Sequence, residues 1–232
     1  MGAVRLWLPK WKNYKMGRNK LKKFSEIGES QLVVEENKPH FGQLKGKWAA
    51  EFFQNKNELI LEIGCGKGEY TIGMATLFPN KNFIGIDIKG ARLWKGSNQA
   101  EEAGLSNVGF LRTYAEGLLD HFGEKEVSEI WITFPDPRPR LGDSKKRLTS
   151  PRFQGIYQKI VKPGGLVHFK TDSLEMFDYT LEVLQEAKAK NLVFTHDLYN
   201  SDLQHHTLGI QTTYERKFLA EGVPIKYLQY EI

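Results

Sequence analysis

The sequence predicts an α/β fold in which a seven-stranded, mostly parallel sheet carries helices on both faces. Two observations lead to this fold class. Short segments rich in β-branched and aromatic residues recur along the chain, and segments with apolar residues at helical spacing separate most of them. Strands and helices that alternate in this way form parallel sheets, because each helix carries the chain back across the sheet.

The alternation begins with "GKWAAEFFQ" (46–54), a predicted helix that leads into the apolar run "ELILEIG" (58–64), the first buried strand. Residues 69–78 have apolar side chains at helical spacing and stop at a Pro-Asn pair, so they predict a helix. "NFIGIDI" (82–88) reads as a second buried strand, and a helix near 90–103 is expected after it.

The third strand is predicted at "VGFLRT" (108–113), followed by a helix from about 115 and the strand "EIWITF" (129–134). After a basic loop, a helix around 152–161 reaches the turn "KPGG". The strand "LVHFKT" (166–171) comes next.

A helix over about 174–189 and two further strands, "LVFTHDL" (192–198) and "IKYLQYEI" (225–232), complete the predicted sheet. No repeat, low-complexity tract or linker divides residues 25–232, so we expect them to form one domain. Residues 1–24 lack sustained periodicity and are expected to be a flexible basic arm.

Positive charge is concentrated in two segments. Residues 1–24 contain eight Lys or Arg and no acidic residue, with aromatic residues between them. Residues 138–152 contain six basic residues and one acidic residue. Such segments suit a nucleic acid, because cations bind its phosphates and rings stack on its bases. Solvated surface loops are the alternative interpretation.

Composition argues against several other classes. No apolar run approaches about 18 residues and the N-terminus is charged, so neither membrane insertion nor export is expected, and a cytoplasmic location is predicted. Cys65 is the single cysteine, which excludes an internal disulfide. The six histidines show no zinc-ligand spacing, so no structural metal is predicted.

A glycine-rich loop follows the first strand. Gly64, Gly66 and Gly68 alternate in "LEIGCGKGEY", where a doubly wound sheet receives a nucleotide-sized ligand. Dinucleotide enzymes need a glycine at the position that Glu69 occupies, and a carboxylate there would repel a pyrophosphate. Glu62 suits a cationic ligand in the same way. The loop therefore favours S-adenosylmethionine, which carries a sulfonium and an ammonium, over an NAD-type cofactor.

Asp87 ends the second strand, where a carboxylate accepts hydrogen bonds from ribose hydroxyls. It supports a nucleoside without choosing between the two cofactor classes. A tight turn without a ligand is the structural alternative for the loop. Cys65 has no histidine beside it in sequence and is not expected to act as a nucleophile.

"FPDPRPR" (134–140) follows the fourth strand and places Asp136 at the same sheet edge as Glu62 and Asp87. The prolines on both sides fix φ, which holds the carboxylate in one direction. Guanine N7 has a free lone pair and no proton, so its methylation needs alignment and charge stabilisation rather than a base. Asp136 is suited to both tasks if it accepts hydrogen bonds from a guanine edge. An ordinary Pro-Asp-Pro turn is the alternative.

These residues resemble the bacterial tRNA (guanine-N7-)-methyltransferase family. The resemblance extends from about residue 40 to the C-terminus and is carried by "LEIGCGKG", "FIGIDI", "GLSNV", "FPDPRP" with "KKRL", "FKTD" and "TTYERK". It implies a Rossmann-like class I methyltransferase fold and transfer of methyl from S-adenosyl-L-methionine to N7 of guanine 46 in the tRNA variable loop. The protein is expected to be a monomer or a homodimer.

The resemblance also implies roles for individual residues. Cofactor contacts are implied for Glu62, Gly64, Gly66, Gly68, Asp87, Tyr114, Ala115 and Asp136, and Asp136 would be the catalytic residue. Substrate contacts are implied for Arg140, Asp172, Thr212, Thr213, Tyr214 and Glu215. Tyr114 stands where the family usually has an acidic residue, so adenine is expected to meet the backbone or the tyrosine ring.

Structural alternatives remain for part of this set. Asp172 also fits a strand-end turn, and the Thr-x-x-Glu spacing of residues 212–215 also fits an ordinary helix cap. Two other functions stay open at this point: a methyltransferase for another RNA or a small molecule, and an RNA-binding protein whose methyltransferase fold is inactive.

Overall fold

The computed structural model describes residues 28–232. Its strands are β1 (Val33–Val34), β2 (Leu59–Ile63), β3 (Asn82–Asp87), β4 (Val108–Arg112), β5 (Val127–Thr133), β6 (Val161–Thr171), β7 (Lys190–Thr195) and β8 (Lys226–Glu231). Its α-helices are α1 (Glu69–Leu77), α2 (Gly90–Glu102), α3 (Leu118–His121), α4 (Pro151–Ile160), α5 (Leu174–Glu186) and α6 (Thr213–Ala220). The predicted arm at 1–24 lies outside the described residues.

The strands form a single sheet in the order β1-β4-β3-β2-β5-β6-β8-β7. All neighbouring pairs from β1 to β6 are parallel, and β8 pairs antiparallel with both β6 and β7. The predicted mostly parallel α/β sheet is therefore confirmed. The sheet order reverses at β2, so the loop after β2 lies at the switch point where doubly wound sheets bind ligands.

The predicted number of seven strands is wrong, because the sheet within residues 28–232 has eight. The additional strand, Val33–Val34, pairs with β4 at the edge of the sheet. Two residues are too few to show a period-2 pattern, so sequence alone gave no sign of it. The predicted helix at 46–54 is present as a single π-helical turn, Trp48–Phe52. β6 begins at Val161 and runs through the predicted "KPGG" turn.

Each face of the sheet carries its own apolar core. On one face, Trp48, Phe122, Phe153 and Phe177 pack with apolar residues of β2, β5 and β6. The other face is covered by α1 and α2 and by the chain after β7. No helix within residues 28–232 has the length and apolar character needed to cross a bilayer.

Gly68 ends the loop after β2 in a conformation that a larger residue would not tolerate. Its φ is +72°, and an added Cβ would stand 2.6 Å from Cε1 of the buried Phe110 ring. We therefore expect Gly68→Ala to lower the free energy of unfolding by about 2 kcal/mol, since strain and overpacking act together. Urea unfolding of the purified variant would measure this.

Gly155→Ala is the matched control for Gly68→Ala. Gly155 lies within α4, and a Cβ there would meet nothing within 4 Å. Alanine is the better helix former, so this control should be neutral or stabilising by up to about 1 kcal/mol. Equal stability losses in the two variants would contradict the strain assigned to Gly68.

Candidate active site

The glycine loop crosses the carboxyl end of β3. The N–H groups of Gly64 and Cys65 both donate to the carbonyl of Ile86, at 2.8 and 2.9 Å. Gly66 has a φ of +58°, and a Cβ on it would meet nothing within 4 Å. The backbone at Gly66 therefore faces open space, as a ligand-binding loop requires.

Asp87, at the end of β3, holds this loop in place. Its Oδ2 accepts from the N–H of Gly66 at 3.0 Å, and its Oδ1 accepts from the N–H of Lys89 at 2.7 Å. Arg92 Nη1 lies 3.6 Å from Oδ2. Each carboxylate oxygen can accept more than one hydrogen bond, so Asp87 keeps capacity for ribose hydroxyls.

Glu62, on β2, lies beneath the loop and is almost completely buried. Its Oε1 accepts from Oγ1 of Thr133 at 2.5 Å, and its Oε2 accepts from both the N–H (2.8 Å) and the hydroxyl of Thr71. Burial raises the pKa of Glu62 to about 7, although these bonds and Lys170 favour the ionised form. The carboxylate is fixed in position and titrates near neutral pH.

The raised pKa of Glu62 makes stability depend on pH. Because the folded state holds the proton more tightly than the unfolded chain, the free energy of unfolding falls as pH rises from about 4.5 to about 7. The rise in the pKa of Glu62 from 4.5 to about 7 corresponds to about 3 kcal/mol of the free energy of unfolding. Glu62→Gln does not titrate, so we expect its stability relative to wild type to increase by about that amount across this window.

Urea unfolding at several pH values between 4.5 and 8 would measure the effect, with Glu58→Gln as the control. Glu58 is an exposed carboxylate that pairs with Lys81 at 3.5 Å. Its replacement should leave the pH profile of wild type unchanged. Parallel profiles for wild type and Glu62→Gln would contradict the raised pKa.

A cavity of about 630 Å³ opens beside the glycine loop, at the carboxyl ends of β2 to β5. Its wall contains Gly64 from the loop, Asp87, the neighbours Tyr114 and Ala115, and Asp136. The side chain of Tyr114 is 67% exposed, so its ring is available to a planar ligand. Tyr214 lines the same cavity, so the structure brings six of the residues implicated by the sequence to one cavity.

A smaller cavity of about 70 Å³ adjoins the first one and shares four wall residues with it. Glu62, Gly66 and Thr133 line it, together with Thr212 and Thr213 from the far end of the chain. One end of the combined space is therefore lined by Asp87 and Tyr114, and the other by the buried carboxylate of Glu62.

Asp136 projects from the loop after β5, and its side chain is 67% exposed. Its Oδ1 accepts from the N–H of Arg138 at 3.2 Å, and its Oδ2 lies 3.3 Å from Nε of Arg138. The residues two before and two after it, Phe134 and Arg138, both have positive φ, +49° and +48°. Positive φ is uncommon for residues other than glycine, and here it turns the chain on both sides of Asp136.

Residues 212–215, which we call the acceptor segment, lie against the glycine loop. Thr212 and Glu215 form a capping box at the start of α6, and Glu215 is fully buried against Lys170 and Tyr199. Thr213 bonds to Glu69, the first residue of α1. Tyr214 is 58% exposed and lines both cavities, whereas Thr212 and Thr213 line the smaller one alone.

Arg140 and Asp172 are placed differently from the other predicted residues. Among the described residues, neither belongs to the wall of the two cavities. Arg140 is exposed at the start of the 3₁₀ segment Leu141–Lys146, and the backbone carbonyl of Asp172 accepts from Nζ of Lys226 at 3.0 Å. The contacts of these two residues with substrate remain predictions. Because both residues lie outside the cavity wall, only a substrate larger than a nucleoside would reach them.

Lys170 was missed by the sequence reasoning. It lies on β6 with its side chain fully buried, and its Nζ is 2.6 Å from Oε1 of Glu215. Burial lowers the pKa of Lys170, while the carboxylates of Glu215 and Glu62 act in the opposite direction. The sequence offered one indication of this pair. His168 and Lys170 alternate in a buried strand, and a lysine buried there needs a carboxylate beside it.

Cys65 lies within the glycine loop, between Gly64 and Gly66, and is buried. Burial raises the pKa of its thiol, which keeps it protonated and unsuited to nucleophilic attack. In the described part of the chain, no three His, Cys, Asp or Glu side chains are grouped so that they could hold a metal ion.

Comparison with known proteins agrees with this architecture. Residues 56–228 match a family model described as "Putative methyltransferase". A protein of Cytophaga hutchinsonii named tRNA (guanine-N(7)-)-methyltransferase is 51% identical over 218 residues, which are 93% of this chain and 98% of that protein. A protein of the same name from Bacteroides fragilis is 46% identical over 221 residues, covering 93% of this chain and 86% of that protein.

Among solved structures, the 16S rRNA methyltransferase KamB resembles this chain with a TM-score of 0.58. The match covers 79% of this chain and 93% of that chain, at 20% sequence identity. At this identity the likeness concerns the fold alone. It confirms the predicted Rossmann-like class I methyltransferase fold.

Proposed function

The chain belongs to the tRNA (guanine-N(7)-)-methyltransferase family, and from this membership we propose that it transfers a methyl group from S-adenosyl-L-methionine to N7 of guanine 46 in the variable loop of tRNA. The reaction takes place in the cytoplasm. The observation that carries the proposal is the cavity that joins Asp87, Tyr114 and Asp136 beside the glycine loop.

The residues present fit S-adenosyl-L-methionine. A volume of about 630 Å³ lies within the usual range for small-ligand and cofactor sites. Asp87 retains acceptor capacity for ribose hydroxyls, and the exposed ring of Tyr114 offers a surface for adenine. Glu62 lies at the other end, where its carboxylate favours a cationic group. When bound, the cofactor supplies an electrophilic methyl group.

Asp136 acts on the acceptor base. Guanine N7 carries no proton, so no residue has to remove one, and the protein contributes alignment and charge stabilisation. The carboxylate of Asp136 accepts hydrogen bonds from the N–H groups of the guanine edge and stabilises the positive charge that arrives on the ring. Tyr214, exposed beside both cavities, offers a face on which the base stacks.

An unmodified tRNA transcript tests the proposal. With labelled S-adenosyl-L-methionine, we expect about one methyl group per tRNA that has guanine at position 46. The same transcript with adenine at position 46 should incorporate less than about a tenth as much, because adenine lacks the N1–H and N2–H groups of guanine from which Asp136 would accept. Equal incorporation into both transcripts would contradict the assignment of position 46.

Salt dependence separates this proposal from the alternatives. A substrate held by phosphate contacts loses affinity as salt rises, so the Kd for tRNA should increase at least about tenfold between 50 and 200 mM salt. A methyltransferase for a small molecule would show no such salt-dependent binding of tRNA. If calorimetry detected no binding of S-adenosyl-L-methionine at millimolar concentration, an inactive RNA-binding protein would be favoured instead.

A further inference from the structure

The acceptor segment is attached directly to the first residue of the helix that follows the glycine loop. Oε2 of Glu69 accepts from the N–H of Thr213 at 2.7 Å, and Oε1 accepts from the hydroxyl of Thr213 at 2.5 Å. These residues are 144 positions apart in sequence. Both oxygens of one carboxylate are thus engaged by one residue of the acceptor segment.

This contact fixes the residue next to Tyr214. Tyr214 lines both cavities and is exposed, so its own packing does not hold it in place. The position of its backbone is set on one side by Glu69 through Thr213, and on the other by Glu215, which is buried against Lys170. Glu69 is the first residue of α1 and follows directly on Gly68, the last residue of the glycine loop.

We propose that Glu69 is a positioning residue for the acceptor nucleoside: by holding Thr213, it keeps Tyr214 at the cavity mouth and connects the cofactor loop to the tRNA-binding side. The inference rests on the proposed function for the identity of the acceptor. Glu69 also lines the smaller cavity, but in this role it acts through Thr213 and not on the reacting atoms. Its loss weakens capture of tRNA more than it weakens binding of S-adenosyl-L-methionine.

Three variants separate hydrogen bonding from charge. Glu69→Ala removes both bonds, and we expect the KM for tRNA to rise about five- to tenfold while the calorimetric Kd for S-adenosyl-L-methionine stays within about twofold. Glu69→Gln retains an acceptor for the N–H of Thr213 and a donor for its hydroxyl, so it should restore most of the wild-type KM. Thr213→Val removes the hydroxyl alone and should have an intermediate effect.

The double variant Glu69→Ala/Thr213→Val tests whether the two residues act through each other. We expect a KM no higher than that of Glu69→Ala, since the contact can be lost only once. Multiplied effects would show that Thr213 acts on the substrate independently of Glu69 and would overturn the proposal. Glu221→Ala is the control, because Glu221 is an exposed carboxylate at the end of α6 that lies 3.9 Å from Lys217.

Hydrogen exchange tests the positioning independently of activity. The amide of Thr213 should exchange at least about tenfold faster in Glu69→Ala than in wild type or Glu69→Gln, because its acceptor is lost. Unchanged exchange, or an unchanged KM in an active enzyme, would overturn the inference. If wild type methylated no tRNA while the exchange difference was observed, the proposed function would fail and the positioning contact would stand.

Discussion

Replacing Asp136 with alanine should lower kcat for tRNA methylation at least about 100-fold, because it removes the carboxylate that we propose stabilises charge on the guanine. The side chain is 67% exposed and makes its contacts with Arg138 alone among the described residues, so its loss should not unfold the protein. The cofactor Kd should change by less than about fivefold, since Asp87 and Tyr114 remain. Single-turnover kinetics with saturating tRNA would measure the chemical step.

Two further variants complete the test of Asp136. Asp136→Asn keeps an acceptor without the charge and should fall between wild type and alanine. Asp178→Ala is the control, because Asp178 is a half-exposed carboxylate on α5 that pairs with His196 at 3.5 Å, away from the cavity wall. A kcat for Asp136→Ala within about threefold of wild type would exclude Asp136 from the reaction centre.

Replacing Asp87 with alanine should raise the Kd for S-adenosyl-L-methionine about 100-fold. In the binding mode that we propose, two hydrogen bonds from ribose to the charged acceptor would be lost, each contributing about 1.5 kcal/mol or more. The N–H groups of Gly66 and Lys89 would also lose their acceptor, so the glycine loop would be less well held. Calorimetry with the cofactor and with S-adenosylhomocysteine would measure the loss.

Asp87→Asn distinguishes the two contributions of Asp87. Asparagine can accept from one of the two backbone N–H groups, so it should recover part of the affinity. Thermal unfolding of both variants without cofactor would report the cost of releasing the loop. An affinity of Asp87→Ala within about threefold of wild type would show that the ribose binds elsewhere.

The fold could be predicted from sequence because the parallel strands are buried and the helices between them are amphipathic. β2 and β3 are short, mainly apolar segments, and both are predicted within a residue or two of their observed ends. The edge strand Val33–Val34 was missed, since two residues show no periodicity and its pairing depends on β4. The bounds of β6 also differ, because Val161 pairs with β5 as Leu166 does, and residues 162–165 form an irregularity between them.

The cavity could be predicted in part. Residues that end parallel strands meet at one sheet edge, which is why Asp87 and Asp136 were expected together and are found in one cavity wall. The partners of Glu69 and Lys170 could not be predicted, because each contact joins elements that are far apart in the chain. Strand alternation indicates that Lys170 is buried and therefore needs a carboxylate partner, but it does not identify that partner. Only the packing of α6 against the sheet supplies Glu215.

Mass analysis of the nucleosides from tRNA treated with the purified protein and isotopically labelled S-adenosyl-L-methionine tests the central claim most directly. We predict N7-methylguanosine as the one labelled nucleoside, because the carboxylate-lined cavity would align an unprotonated ring nitrogen with the methyl donor. Label on an exocyclic amine of guanine, on adenine, or on the protein itself would contradict the account.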